Sequence, residues 1–128
     1  MDLEQGLTVE LSAILGIGSK VYPITAAQGT LTPYVTYALG SSERMSDLTG
    51  QTALIKQQYQ IDVYESTYAG LKNHKKPVIQ KLKSLNLRNI GDTGPLIQQA
   101  EITNDYETYE TEAKLYRAII EVDLYTTE

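Results

Sequence analysis

The sequence predicts one α+β domain, in which two helices pack against a mostly antiparallel or mixed sheet of four to five strands. Two segments place apolar residues three and four positions apart, as on one face of a helix, and several others alternate apolar with polar residues, as in a strand. The 128 residues match the usual size of a single domain. We therefore expect residues 1–128 to form one domain with a helical layer on a sheet layer.

The first helix is predicted from an apolar stripe near the start of the chain. This stripe comprises Leu3, Leu7, Leu11, Ile14 and Leu15. Gly16 and Gly18 are expected to end the helix. A phosphate-binding loop at Gly16–Ser19 is disfavoured, because this run follows a helix instead of a strand and lacks the Gly-Lys-Ser/Thr ending. Val21 and Tyr22 then form a short extended piece that Pro23 ends.

A strand is predicted after Pro33, where Val35, Tyr37 and Leu39 alternate with the residues between them. The polar stretch from Gly40 to Gly50 is predicted to be an exposed loop. Since it carries isolated apolar residues among charged ones, we expect it to be a protein-contact surface. Its candidate interface residues are Glu43, Arg44, Met45, Asp47 and Leu48.

A long strand is predicted for 53–65, with one face in the core and the other in water. At about 3.3 Å per residue this segment is longer than a compact core requires, so part of it is expected to project outward. The predicted core face carries Ile55, Tyr59, Ile61 and Val63, and the predicted wet face carries Lys56, Gln58, Gln60 and Asp62.

The second helix is predicted to follow Thr67, a suitable N-cap. Pro77 lies inside the pattern, which predicts either a kink or a helix that begins near Pro77. The apolar stripe is formed by Tyr68, Leu71, Val78, Leu82 and Leu85, and the lysines around it are Lys72, Lys75, Lys76, Lys81 and Lys83. A solvated charged face explains these lysines better than a nucleic-acid site, because only Tyr68 supplies an aromatic ring nearby.

A final hairpin is predicted from strands around 96–102 and 118–124. Its connection is acidic and contains no Gly or Asn, so we expect a long acidic tip from Asp105 to Glu112. A solubilising turn explains the carboxylates better than a cation site, since their spacing differs from that of an EF-hand loop. Exposed tyrosines are enriched at interfaces, although packing on their own strands explains these tyrosines equally well. The candidate interface residues are Asp105, Tyr106, Glu107, Tyr109 and Glu110.

Composition excludes several classes of function. The chain has no Cys, which rules out disulfides and thiolate metal sites, and its formal charge of −5 opposes tight DNA binding. No apolar run approaches the roughly 20 residues of a membrane span, and the first residues lack the order of a secretory signal, so a cytoplasmic location is expected. Ten Tyr occur without Phe or Trp, and because each hydroxyl needs water or a partner we expect tyrosines at edges and interfaces.

We predict no catalytic residue, cofactor or metal site, and we expect that the chain is not an enzyme. The lone His74 lies among lysines and is predicted to be a solvated surface residue. No serine has the positional signature of a nucleophile. Asp62 could pair with Glu121 or Asp123 as the carboxylates of a glycosidase do, but nothing in the sequence brings them together.

Four segments carry a resemblance to a known family. They are VYPITAAQG from Val21, TPYVTYAL from Thr32, QYQIDVY from Gln58 and KLYRAIIEVDLYT from Lys114. With the order of predicted elements, they resemble the tail-completion family of long-tailed bacteriophages, which includes tail-terminator and head-tail joining proteins. The resemblance covers nearly the whole chain.

The resemblance implies a structural role in a virion. It implies a ring of identical subunits, commonly a hexamer, which caps the tail tube and meets the connector or stopper proteins of the head, with DNA only passing through the lumen. The implied location is the tail end of the virion, after assembly in the host cytoplasm. The alternative is a small monomeric binding or regulatory domain that uses exposed tyrosine-rich loops.

Overall fold

The structure is a computed structural model that describes residues 1–26, 29–46 and 53–127. Its helices are α1 (Leu3–Ser12) and α2 (Tyr68–Lys83), and its strands are β1 (Val21–Pro23), β2 (Tyr34–Ser46), β3 (Ala53–Glu65), β4 (Arg88–Asn89), β5 (Leu96–Ile97), β6 (Gln99–Glu110) and β7 (Leu115–Thr127). The main sheet has the order β1-β2-β3-β7-β6, and β4 pairs with β5 in a small second sheet. Among the strands of the described residues, β1 and β2 are the one parallel pair, so the predicted α+β fold with a mostly antiparallel sheet is confirmed.

Helix α1 begins at a capping box, in which the Asp2 side chain accepts from the backbone N–H of Gln5 and the Gln5 side chain accepts from the backbone of Asp2. Its apolar stripe packs on the sheet as predicted, except at Leu15. The chain leaves the helix after Ser12, so Leu15 is turned away and is 94% exposed.

Helix α2 begins at Tyr68, and the side chain of its N-cap Thr67 accepts from Gly70 N–H. The alternative that the helix begins near Pro77 is wrong, because Pro77 lies inside the helix. Leu71 before Pro77 and Val78 after it are both completely buried. Burial of apolar side chains on both sides of Pro77 thus offsets the loss of one backbone hydrogen bond.

The predicted loop at Gly40–Gly50 is wrong for residues 40–46. Strand β2 continues to Ser46 past a bulge between Leu39 and Ser41, and its second half pairs with 53–58 of β3. The reason is that the first half of the long strand β3 must satisfy its backbone groups, and the continued β2 does so on one side while β7 does so on the other.

The predicted hairpin of β6 and β7 is confirmed, but its acidic tip is wrong. Both strands continue past Asp105, so residues 105–110 belong to β6 and the turn comprises only 111–114. Lys114 closes the turn. Its N–H donates to the Glu110 carbonyl at 2.7 Å, and its backbone adopts the left-handed conformation with φ of 56°. Pairing along β7 therefore outweighs the polar composition of this segment.

The core lies between the helices and one face of the sheet, and it includes two tyrosines. Tyr59 is 1% exposed and Tyr37 is 8% exposed, so the expectation that tyrosines lie at edges is wrong for both. Helix α1 provides their hydroxyl partners: Tyr59 donates to Glu4 Oε2 at 3.1 Å, and Thr8 Oγ1 donates to the Tyr37 hydroxyl at 3.2 Å. Partners on α1 thus allow phenols to enter the core.

Candidate functional site

The acidic residues of β6 form ion pairs with helix α2. Lys72 Nζ lies 2.8 Å from the Glu107 carboxylate, and Lys75 Nζ lies 3.2 Å from Asp105 Oδ1. The hydrogen bond from Lys72 lowers the pKa of the Glu107 carboxyl below its usual value. Two of the predicted interface residues are therefore engaged within the chain, by lysines that the sequence assigned to a solvated helix face.

The two tyrosines of β6 differ in their surroundings. Tyr109 lies on the helix-facing side, where its ring centre is 4.9 Å from that of Tyr116, which in turn contacts Tyr68 at 5.8 Å. Tyr106 lies on the other side of the sheet, opposite Ile119, and is 45% exposed. Tyr109 is equally exposed at 47%, but its ring already packs on Tyr116, so Tyr106 is the better candidate for contact with a partner protein.

Arg117 joins three strands on the sheet face opposite the helices, which we call the open face. Its Nη1 donates to Glu110 Oε1 at 2.9 Å and its Nη2 donates to Asp62 Oδ2 at 2.6 Å. Burial opposes the charge on Arg117, but these two carboxylates raise its pKa above the usual value. The predicted wet position of Asp62 is wrong, because the residue is 5% exposed. The sequence signal for this cluster was Arg117 itself, the one charged residue in the otherwise apolar run 115–120.

An aromatic row extends from Arg117 across the open face. The Tyr64 ring lies 5.6 Å from the Arg117 guanidinium carbon and stacks on Tyr34 at 4.7 Å, and Tyr22 meets Tyr34 edge-on at 6.4 Å. Burial raises the pKa of both Tyr34 and Tyr64, so these phenols are protonated at neutral pH. A cavity of about 290 Å³ beside this row is lined by Tyr34, Tyr64, Arg117, Glu110, Glu112 and four small residues.

The open face is rich in carboxylates, and in the described part of the chain no helix packs on it. Asp123 is 3% exposed, its Oδ2 lies 3.6 Å from Lys56 Nζ, and its Oδ1 has no hydrogen-bond partner among the described residues. The strand register places Asp62 opposite Ile119, and not opposite Glu121 or Asp123. The carboxylate pair considered from the sequence is thus not a cross-strand pair.

The interface residues predicted around Gly40–Gly50 are only partly described. Glu43 and Arg44 are exposed residues of β2, paired in register with Lys56 and Ile55. Met45 belongs to the same strand, while Asp47 and Leu48 lie outside the described residues. Successive residues of a strand face opposite sides, so Glu43 is on the open face and Arg44 on the helix-facing side.

The predicted solvated position of His74 is wrong. Its side chain is 23% exposed, and Nδ1 lies 3.0 Å from the Gly70 carbonyl oxygen and 3.2 Å from Glu65 Oε2. The opposite ring nitrogen packs against Gly16, where an added Cβ would lie 2.8 Å from Nε2. His74 thus joins helix α2 to the segment after α1, an internal contact that lysine-rich sequence surroundings did not reveal.

The described residues contain neither a metal-binding cluster nor a membrane-spanning helix. No group of three or more His, Asp or Glu side chains there could hold a metal ion. Among the same residues, no helix has the length and apolar character needed to cross a membrane.

Comparison with known proteins gives a match in structure. No protein-family model matches the sequence, and no curated protein matches it either. The fold is similar to that of a chain in the virion of a native gene transfer agent particle, with a TM-score of 0.70 and 16% sequence identity. The alignment covers 96% of this chain and 94% of the other. The two chains therefore share a fold over nearly their full lengths.

Proposed function

We propose that this chain is a structural subunit of a virion. It completes a phage-type tail tube and joins it to the head connector as a ring, and the hexamer is the form to test first. The observation that carries the proposal is the fold shared with a virion chain over 96% of this sequence. The sequence segments that resemble tail-completion proteins support the same role independently of the fold.

The chemistry of the described residues supports a structural role. The charged side chains with the closest contacts are consumed in ion pairs that fix one element to another, such as Arg117 with Asp62 and Lys72 with Glu107. Burial is the first cause of the raised pKa of Tyr34, Tyr59 and Tyr64, and a raised pKa makes a phenol harder to ionise, which is the opposite of nucleophile activation. We therefore propose that the chain has no catalytic activity and needs no cofactor.

The size of the domain is compatible with a ring around DNA. A chain of this length has a radius of gyration of about 14 Å, and six touching spheres of that compactness leave a central hole of about 18 Å radius. The proposed partners are further copies of the chain, the tail tube protein, and connector or stopper proteins of the head. DNA would pass through the lumen without being held, because the net charge of −5 opposes the retention of phosphates.

The mass of the purified protein tests this proposal. Native mass spectrometry over a wide concentration range, alone and with tail tube protein, is expected to give one closed oligomer in at least one condition. A monomer in every condition would instead favour the small binding domain. That alternative has lost part of its basis, because Tyr106 and Tyr109 lie in a strand and not in a loop.

A further inference from the structure

The main sheet ends in two long strand edges that have no strand partner in the described part of the chain. Strand β6 pairs only with β7, so its outer edge is open along most of its length. At the opposite end of the sheet, β1 pairs only with 35–37 of β2. The outer edge of β2 is therefore open from Ala38 to Ser46. Open edges offer unpaired N–H and C=O groups to another strand.

Natural proteins usually protect such edges with charges, proline or bulges, and in β6 the bulge lies between Ile102 and Asn104, so residues 105–110 pair in regular register. Strand β6 contains no Pro and no Lys, and its carboxylates are largely neutralised within the chain. Asp105 and Glu107 pair with lysines of α2, and Glu110 pairs with Arg117. Residues 105–110 of β6 therefore carry little net charge that would repel an approaching strand.

The β2 edge is suited to close approach. Its open part contains Gly40, Ser41 and Ser42, whose small side chains leave the backbone accessible, and Leu39, which is 45% exposed. A bulge between Leu39 and Ser41 is the one register shift in this strand. The nine open residues of β2 and the twelve residues of β6 are long enough to form a ladder of ordinary length.

The strand directions would allow β6 of one copy to pair with β2 of another copy. From β2 through β3 and β7 to β6, every neighbouring pair is antiparallel, so β2 and β6 run in opposite directions. A rotation about an axis along the strands keeps these directions. It would place β6 of one copy antiparallel to β2 of the next. This contact joins two different surfaces, and repeated rotation closes it into a ring.

We infer that β6 of one copy pairs with residues 38–46 of β2 in the next copy, so that the sheet continues from subunit to subunit. The inference rests on the proposed ring and names the surface that builds it. It assigns the backbone of β6 the main part of the contact, with Tyr106 as a side-chain anchor on the open face.

The absence of cysteine from the chain allows a direct test by disulfide cross-linking. Ser41→Cys would be combined with Asn104→Cys or with Thr108→Cys, two exposed positions of β6. By the strand registers, all three side chains lie on the open face. The matched control is Ser42→Cys, whose side chain points to the opposite face one residue away.

Mild oxidation of the assembled double variants is expected to give a ladder of covalent multimers on a non-reducing gel for at least one Ser41 pair. The Ser42 pairs should give no more than the single-cysteine variants, since a disulfide needs Cα atoms closer than about 7 Å and side chains that face each other. Equal yields from Ser41 and Ser42 pairs would overturn strand pairing. Cross-links from a β6 cysteine alone would show a two-fold β6–β6 contact instead.

Native mass spectrometry of the unmodified chain separates the two proposals. A closed ring whose Ser41 variants do not cross-link overturns the strand pairing and leaves the proposed function standing. A monomer in every condition, with and without tail tube protein, overturns both.

Discussion

Glu10 of α1 and Arg88 of β4 form a two-pronged ion pair, in which Nη2 of Arg88 lies 2.9 Å from Oε1 of Glu10 and Nη1 contacts Oε2. Gly91 N–H also donates to Glu10 Oε2 at 2.9 Å. Glu10 is 7% exposed, and hydrogen bonding to Arg88 lowers the pKa of its carboxyl. The pair thus fastens the first helix to the segment after the second.

Replacing this carboxylate is expected to destabilise the fold. Glu10→Gln should lower the free energy of unfolding by about 2–3 kcal/mol at pH 7, because Arg88 and Gly91 lose a charged acceptor. Since the folded pKa lies below the unfolded one, this stabilisation is full above about pH 4.5 and is lost as pH falls through the lower folded pKa. Urea unfolding at several pH values measures the difference, with exposed Glu112→Gln as the control. An equal loss at pH 7 and at pH 2 would contradict the assignment.

Gly6 in α1 is expected to resist the substitution that usually stabilises a helix. Alanine normally gains up to about 1 kcal/mol over glycine in a helix interior. A Cβ at Gly6 would lie 2.7 Å from Ile90 Cγ2 and 3.0 Å from the Ile90 carbonyl oxygen. Gly6→Ala should therefore destabilise the protein by about 1–3 kcal/mol through overpacking. Thermal unfolding tests this, and Asn73→Ala at an exposed site of α2 is expected to be neutral or slightly stabilising.

Three tyrosines are expected to ionise at a higher pH than a free tyrosine does. The pKa of Tyr59 is raised first by burial and second by the negative charge of Glu4. Burial is also the main cause that raises the pKa values of Tyr34 and Tyr64. During alkaline titration, the absorbance of tyrosinate should show a set of tyrosines that ionises at high pH. Tyr59→Phe should remove one tyrosine from this set. Because the folded pKa values are raised, their contribution to stability is full below about pH 10 and is lost as the pH rises further. The free energy of unfolding should fall less steeply in Tyr59→Phe, and identical slopes would argue against a buried hydroxyl.

Tyr106 is expected to matter for assembly and not for the fold. Its ring is 45% exposed on the open face, so Tyr106→Ser should lower the free energy of unfolding by about 1–2 kcal/mol, which is too little to unfold the chain. The same substitution should weaken formation of the oligomer, as measured by native mass spectrometry. Leu15→Ser, at a residue 94% exposed beside α1, is the control that should leave assembly unchanged. Unaltered assembly in Tyr106→Ser would remove this residue from the interface.

The regular elements could be predicted because their periodicity is local. The stripe of α1 and the alternation of β7 each reflect one face packed on the core, and both elements exist as predicted, although α1 ends at Ser12, before Leu15, and β7 extends beyond 118–124 at both ends. Polar strands gave no such signal. Residues 40–46 and 105–110 have loop-like composition, yet both are strands because a long neighbouring strand supplies backbone partners.

The charged clusters could not be predicted, since their partners lie far apart in sequence. Arg117 meets Asp62 across 55 positions, and Glu10 meets Arg88 across 78. Such pairs depend on strand order and register, which hydrophobic patterns leave open. The same reason explains why Asp62 and His74 were expected in water, whereas Asp62 is buried and His74 is partly covered by its contacts with Gly16 and Glu65.

The position of β7 determines when the sheet can form during synthesis. It pairs with β3 on one side and β6 on the other, and it follows both in chain order. Until it emerges, strand β3 pairs with β2 on one side and has a long edge without a partner on the other. Contacts of such wide sequence separation favour slow folding. A nascent chain arrested before β7 should therefore be a strong client for chaperones that bind exposed strands.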